Sequence, residues 1–579
     1  MNKMRIDVLA RTIVFLTLLS CTIILNAQNK SCSGDGPNPC SSATSNLAAP
    51  PGTQNLLGDQ TPPPAPAASD RDFVVDQGPD LDTACRYLPL DINVPINRVI
   101  SRWDPGTSGY FSDVDKLTTN GYLSLYATIE MAVWDVDYSS GEKDEVVFNG
   151  KPLNKLFTGE DQKWSTFTAK VFIGDVKFGK LTSGDAEPQN NLIHINVDAA
   201  QTHWCTSVAW VKISFDATSP TVFIHGNNSN GQFLERQGLK QGFLNNGLLF
   251  DDTLSMVPAS NSIDANAQKI DTYVERMAKK YGVDSLHIVA HSKGGLDTRK
   301  YLADIYLNSD QKPKVLSLIT LSTPHNGSVL ADESIEEFNT KKVYALVNFA
   351  NFPPYTGEAV SLNNQLFGIS EGQKNLTSEY LRGFNIENIP KLYAVPDTVF
   401  HTIGGDADLD GDQKICSPLV PSTCQVFLTQ EDTNLLSEAL IFYTGAIPSW
   451  MTSLGLPNIM YQNLGIIRSV QTVDAGYTHV EQDIDGETWS GELKTARMTN
   501  VQNPAGSFVQ NDTLVTVPSA HGEGGFSQLV LPGHRKTYVK NAVDDGANHS
   551  TIGSLSRFSQ VVSWIRFVED TKGDLSTRK

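Results

Sequence analysis

Basic residues are scarce. The chain of 579 residues carries 45 Lys and Arg against 64 Asp and Glu, a formal charge of −19. The basic side chains form no stripe, so no nucleic-acid partner is expected, and the net charge repels anionic membranes. Such acidity suits divalent cations, although solubility alone also accounts for it. Zinc-ligand spacings and glycine-rich phosphate loops are absent, which argues against zinc and nucleotide chemistry. Long apolar runs are absent too, apart from Ile13 to Leu25, which is short for a bilayer span. Cysteine is sparse, seven residues in all. That excludes a disulfide-dense miniature scaffold and leaves apolar burial, at 40% hydrophobic residues, as the source of stability.

The apolar run is placed where a targeting leader would lie. Lys3, Arg5 and Arg11 stand before or at its start and Ala27 offers a small residue for cleavage, so residues 1–27 read as a signal peptide and the protein as secreted. Leu18-Leu19-Ser20-Cys21 is similar to a lipoprotein cleavage box. The apolar run continues past Cys21, which favours soluble export over lipid anchoring through that cysteine, the alternative reading. Six cysteines remain outside the leader. Proximity favours Cys32 with Cys40 and Cys416 with Cys424, leaving Cys85 with Cys205, but spacing does not determine connectivity.

Residues 28–70, with the run Thr61-Pro-Pro-Pro-Ala-Pro66, read as a Pro/Ser-rich linker. Period-two alternation then governs residues 71–217. Tyr122–Trp134, Phe167–Phe172, Leu192–Val197 and Val208–Phe215 are strand-like, and Asn149-Gly150 marks a hairpin turn. An all-β sandwich is expected there. From residue 218 to 579 short continuous apolar runs alternate with helical patterns. Thr221–His225, Leu286–Ala290 and Val315–Leu321 read as buried parallel strands, and Ile270, Val274, Met277 and Tyr281 form a helical stripe stopped by Gly282. Phe558, Val561, Val562, Ile565 and Val568 mark a closing helix. The expectation is a mostly parallel sheet with helices on both faces. Insertions at 328–390 and 406–510 are too long for plain loops and read as caps, with apolar stretches at Val343–Tyr355 and Leu435–Ile467.

Chemistry concentrates in the second half. Ala290-His291-Ser292-Lys293-Gly294-Gly295 follows a strand and opens a helix, the context a nucleophile elbow requires. Small neighbours let the turn close, and helix N–H groups favour a developing oxyanion. Phe223-Ile224-His225-Gly226-Asn227 ends the preceding strand, so Asn227 and Lys293 are the candidate backbone oxyanion donors. Asp512, at the edge of an apolar run, and His549, in a loop before the last helix, complete the order Ser, Asp, His. His521 is the rival base. Asp406, Asp408, Asp410 and Asp412 alternate around Gly411 as at the start of a calcium loop. Ser417 stands where the bidentate Glu belongs, so a complete calcium hand is not expected. Any calcium held there would be structural, since the Ser-Asp-His chemistry needs no cofactor. Asp135, Asp137, Asp144 and Glu145 form a weaker acidic cluster.

Taken together, FIHGN, AHSKGGLDTR, LSTPHNGS, LTSEYLRGFN, NDTLVTVPSA and GANHSTIG resemble bacterial secreted triacylglycerol lipases of the α/β-hydrolase superfamily. The resemblance spans roughly Thr221 to Asp570 and leaves out the sandwich. It implies Ser292, Asp512 and His549 as the triad, Asn227 and Lys293 as the oxyanion donors, and Pro324-His325-Asn326-Gly327 as a structural turn. Those lipases often carry a calcium ligand two residues after the catalytic histidine. Thr551 stands there, so that site is not carried over. The resulting expectation is hydrolysis of carboxylic esters, acylglycerols first, with transient contact to a lipid interface. A short-chain esterase, a polyesterase and an acyltransferase would use the same triad, and a non-catalytic surface-binding protein is the remaining alternative. Nothing in the sequence sets the oligomeric state.

Overall fold

The computed structural model describes, with short breaks, residues 61–77, 90–227, 239–332, 370–406, 470–500, 512–522 and 539–570. The leader, every cysteine, Asp408, Asp410, Asp412 and the apolar stretches Val343–Tyr355 and Leu435–Ile467 lie outside the described residues, so the disulfide and anchor expectations do too.

Alternation builds the first half. In β2 (Leu90–Ile96) Leu90, Ile92, Val94 and Ile96 are buried while Asp91, Asn93 and Pro95 are exposed, the pattern of a strand with one wet face. β1 (Asp72–Asp76), β12 (Ser207–Ser214), β5 (Tyr126–Trp134) and β8 (Trp164–Phe172) form one antiparallel sheet in that order. β2, β11 (Gln189–Asn196), β6 (Glu145–Phe148) and β7 (Lys151–Pro152) form the other. Two short hairpins, β3 (Arg102–Asp104) with β4 (Gly109–Phe111) and β9 (Lys180–Thr182) with β10 (Asp185–Glu187), and helix α1 (Val114–Thr119) fill the connections. Asn149 and Gly150, at φ 48° and 85°, make the expected turn between β6 and β7. Ile92, Val94, Ile193, Ile195 and Phe148 of one sheet share a core with Ile129, Met131, Val133, Phe167, Val211 and Ile213 of the other.

The second half is a five-stranded parallel sheet, ordered β13 (Thr221–Ile224), β14 (Ser285–His291), β15 (Lys314–Leu321), β16 (Val399–Asp406) and β19 (Val539–Asp545). α2 (Leu239–Asn246), α3 (Ile263–Tyr281) and α4 (Lys293–Tyr301) follow β13 and β14, and α5 (Glu371–Lys374) and α6 (Ser378–Tyr393) precede β16. α7 (Val517–His521) precedes β19 and α8 (Ser559–Asp570) closes the chain. Helices cover both faces because consecutive strand residues, which point to opposite faces, are apolar. Val222, Ile224, Ile288 and Leu318 meet α3 and α4, whereas Phe223, Val289 and Ile319 meet α2 and α8. Gly282 stops α3 in the left-handed region, φ 61°, as its place after the stripe implies. β16 and β19 escape a search for apolar runs: β16 is fully buried yet reads VFHTIGGD, and β19 reads VKNAVDD. Within the 406–510 insertion a long hairpin, β17 (Val470–Ile484) and β18 (Glu487–Asn500), runs beside α6.

The two halves are bolted together. The sandwich core continues into the α8 face of the parallel sheet. Arg98 is buried and donates to Asp70 at 2.7 Å and to the Thr218 carbonyl at 2.8 Å. Arg71 donates to Glu569 at 2.7 Å, and Glu569 also accepts from His287 Nε2 and from the Ser219 N–H, both at 2.8 Å.

Candidate active site

Ser292 occupies the turn between β14 and α4 with φ 53° and ψ −131°, a strained conformation for a residue with a side chain. The strain is imposed from every side. The Ser292 N–H donates to the Leu321 carbonyl at 2.9 Å. A Cβ on Gly294 would sit 2.5 Å from the His225 carbonyl, and one on Gly226 would sit 2.5 Å from Ser292 Cβ itself. Only glycine at 226 and 294 lets the β13 loop pass against the serine. Asn227 lies one residue beyond Gly226, and Lys293 is the first residue of α4, where N–H groups lack helical acceptors. Both candidate oxyanion donors therefore flank Ser292.

Asp512 and His549, 37 residues apart, come together. His549 Nδ1–H donates to Asp512 Oδ2 at 2.8 Å, and the His549 N–H donates to the Asp512 carbonyl, also at 2.8 Å. The Val515 N–H donates to Asp512 Oδ1 at 2.6 Å. Burial alone would raise the Asp512 carboxyl, but the adjacent His549, by charge and hydrogen bond, and the Val515 N–H outweigh it and hold it below its ordinary value. Gly405 of β16 makes room, since a Cβ there would lie 2.7 Å from the Ala547 carbonyl and 2.9 Å from Asp512 Cβ. His521, the rival base, instead donates Nε2–H to the Ala542 carbonyl at 2.8 Å.

His291, quoted in the motif but given no role by sequence, joins the two parts. Its Nε2–H donates to the His549 carbonyl at 2.8 Å, and the two rings lie 4.7 Å apart. Burial first, then the neighbouring His549, drives its pKa down to about 3, so it is a neutral, fixed donor. The residue before Ser292 thereby holds the loop that carries His549.

Two further supports bring in partners the sequence did not assign, although the Pro324–Gly327 turn itself was expected as a structural turn. Behind the elbow, Lys293 Nζ reaches Asp297 Oδ1 at 2.7 Å and Oδ2 at 3.0 Å, with both side chains buried, and Asn266 of α3 donates to Asp297 Oδ2 at 2.7 Å. Burial pushes Asp297 up to about 6, with Lys293 and Asn266 opposing. Alongside, Arg299 of α4 donates to His325 Nδ1 at 3.0 Å and to Asn385 Oδ1 at 2.8 Å. His325 is neutral, held well below its ordinary value by burial and then by Arg299, and its Nε2–H donates to Thr320 at 3.0 Å. Ser519 of α7 clamps the same turn, donating to the Gly327 carbonyl at 2.7 Å and accepting from the Asn326 N–H at 3.2 Å. The Pro324–Gly327 turn thus ties α4 to the element that follows Asp512. Of the calcium candidates only Asp406 is described. It is buried at the end of β16, and among the described residues no group of three or more His, Cys, Asp or Glu could hold a metal.

The parallel sheet, with a serine elbow after its second strand in chain order and helices on both faces, is an α/β-hydrolase fold. Residues 253–348 match a family described as an alpha/beta hydrolase of unknown function (DUF915). Over 142 residues the chain is 30% identical to triacylglycerol lipase 2 of Saccharomyces cerevisiae, a match covering 24% of this chain and 37% of that relative. The chain therefore spans little more than a third of the curated relative's length. Among solved structures, the mature Bacillus licheniformis lipase BlEst2 is similar at 16% identity, over 61% of this chain and 92% of that one, with a TM-score of 0.31. Lipase 1 from Pelosinus fermentans is similar at 14% identity, over 60% and 98%, with a TM-score of 0.34.

Proposed function

We propose that the chain hydrolyses carboxylic esters, acylglycerols first among them, through Ser292, His549 and Asp512. The observation that carries this reading is the 2.8 Å bond from His549 Nδ1 to a buried Asp512, beside a serine strained onto a strand-to-helix elbow. Ser292 Oγ attacks the ester carbonyl while His549 Nε2 takes its proton. Asp512 fixes the imidazole tautomer and stabilises the imidazolium. The N–H groups of Asn227 and Lys293 receive the oxyanion. The tetrahedral intermediate then expels the alkoxide, which takes the proton from His549. Water, deprotonated by the same histidine, releases the acid from the acyl-enzyme.

The test is an ester series of increasing acyl length, measured below and above substrate solubility. The lipase reading expects medium or long chains to be preferred and activity to rise on emulsions, because each buried methylene adds roughly 0.8 kcal/mol. Best activity on acetyl or butyryl esters with no interfacial rise makes it an esterase. Ser292→Ala and His549→Ala are expected to lose activity on the order of a million-fold, Asp512→Asn less, with folding kept. An active Ser292→Ala protein would end the proposal. The same reading includes export behind residues 1–27 and a structural calcium at Asp406 to Asp412. A chelator should then lower Tm and calcium restore it. An unchanged melting curve removes the cation.

A further inference from the structure

The outer face of the β1-β12-β5-β8 sheet is half polar and half aromatic. Inward positions of β5 are Ile129, Met131 and Val133, so Thr128, Glu130, Ala132 and Trp134 point away from the core. At one end the outer face is what a wet face should be: Glu130 pairs with Lys212, flanked by Thr168, Lys170 and Ser214. At the other end stand Ala132, Trp134, Trp164 and Trp210, in register across three strands. Ala132 is 0% and Trp134 1% exposed, values that an uncovered outer face does not give.

The cover includes the proline run. Residues 61–69 form neither helix nor strand, and over residues 61–67 exposure repeats every three residues. Thr61, Pro64 and Ala67 are exposed, while Pro62, Pro63, Ala65 and Pro66 are half-buried. Three residues per turn is the period of a polyproline II helix, whose carbonyls have no internal partners and are free to accept. The Trp210 indole N–H donates to the Pro63 carbonyl at 3.1 Å, and Ala65 packs against the cluster of Ala132, Ala209 and Trp210, as Trp164 does. An indole beneath a proline-rich run, with its N–H donated to a carbonyl of the run, is the chemistry by which aromatic grooves recognise such helices. The run ends at buried Asp70, which accepts from Arg98 of the sandwich at 2.7 Å and from Ser285, the first residue of β14, at 3.2 Å.

We propose that this outer face is a polyproline-binding surface occupied in cis by Pro62–Pro66. The run is then a clasp that belongs to the folded unit and delivers Asp70 to the junction between the two domains. Residues 61–70 are accordingly no part of a free linker, and the face accepts a proline-rich peptide whenever the clasp is displaced.

The experiment uses the full chain with Pro62→Ser, Pro63→Gly, Pro64→Ser and Pro66→Gly together. A fluorescein-labelled peptide of residues 61–69 is titrated by anisotropy. It should bind the variant saturably and leave the wild type untouched, because the wild-type face is filled. Adding Trp210→Phe to the variant should weaken binding by roughly 3- to 10-fold, the worth of one hydrogen bond. No saturable binding to the folded variant, or equal binding to both proteins, overturns the proposal. If the variant does not fold, the wild type still decides. With 15N-tryptophan labelling and Trp210→Phe for assignment, the Trp210 indole proton should exchange slowly with solvent, and rapid exchange overturns the clasp.

Discussion

At the scale of single residues the site depends on groups that do not react. His291 lies next to Ser292 in sequence, but its hydrogen bond holds the carbonyl of His549. An unfolded histidine titrates near 6.5 and this one near 3. Between those values the native state binds fewer protons than the unfolded chain, so stability rises with pH. The contribution is therefore complete above about pH 6.5 and is lost as pH falls toward 3, with a slope of up to about 1.4 kcal/mol per pH unit. Denaturant melts from pH 4 to 8 should show His291→Gln with a flatter stability profile than the wild type. Parallel profiles would show that His291 is not buried neutral. The motif was legible because strand, serine and helix are adjacent in sequence. The role of His291 was not, because its partner lies 258 residues away.

At the scale of elements, α4 is held by a buried charge pair. Breaking such a pair costs about 3–5 kcal/mol, since the surviving charge stays buried, whereas replacing both partners by apolar groups is near neutral. Asp297→Ala should therefore destabilise by about 3–5 kcal/mol, and Lys293→Met with Asp297→Leu should recover most of the loss, read from urea midpoints. An equal loss in the single and double variants would make the pair dispensable and the packing decisive. Lys293 was legible as the residue after the serine and as a backbone donor. That its ammonium turns inward to Asp297 follows from α3 covering α4 and supplying Asn266, which no local pattern encodes. The same limit hid β16 and β19, whose histidine, glycines and carboxylates belong to central positions and to the strand ends where Asp512 and His549 meet.

For the whole molecule, the question is whether sandwich and hydrolase unfold together. The Val99 N–H donates to the Tyr281 carbonyl at 2.9 Å, and Gly282 lies so close to the sandwich that a Cβ there would be 2.3 Å from the Asn97 carbonyl. Gly282→Ala should cost more than the roughly 1–2 kcal/mol of a left-handed alanine, because the junction must also open. Calorimetry should show one transition in the wild type and a second, lower one in the variant. A single transition at a slightly lower Tm would mean that the contact is incidental.

The amino-acid sequence by itself determined what depends on neighbours in the chain. The period-two strands of the sandwich, the buried runs of β13, β14 and β15, the stop at Gly282, the small residues around Ser292 and the order Ser, Asp, His are all written locally. The tertiary structure decided what depends on long-range encounter. It chose His549 over His521 as the partner of Asp512, because the β19–α8 loop brings one imidazole to Oδ2 while β19 engages the other through the Ala542 carbonyl. It also laid the proline run on Trp210, although composition alone reads as a solvated spacer. A polyproline helix makes no hydrogen bonds of its own, so whether it stays in water or docks is settled only by the surface it meets.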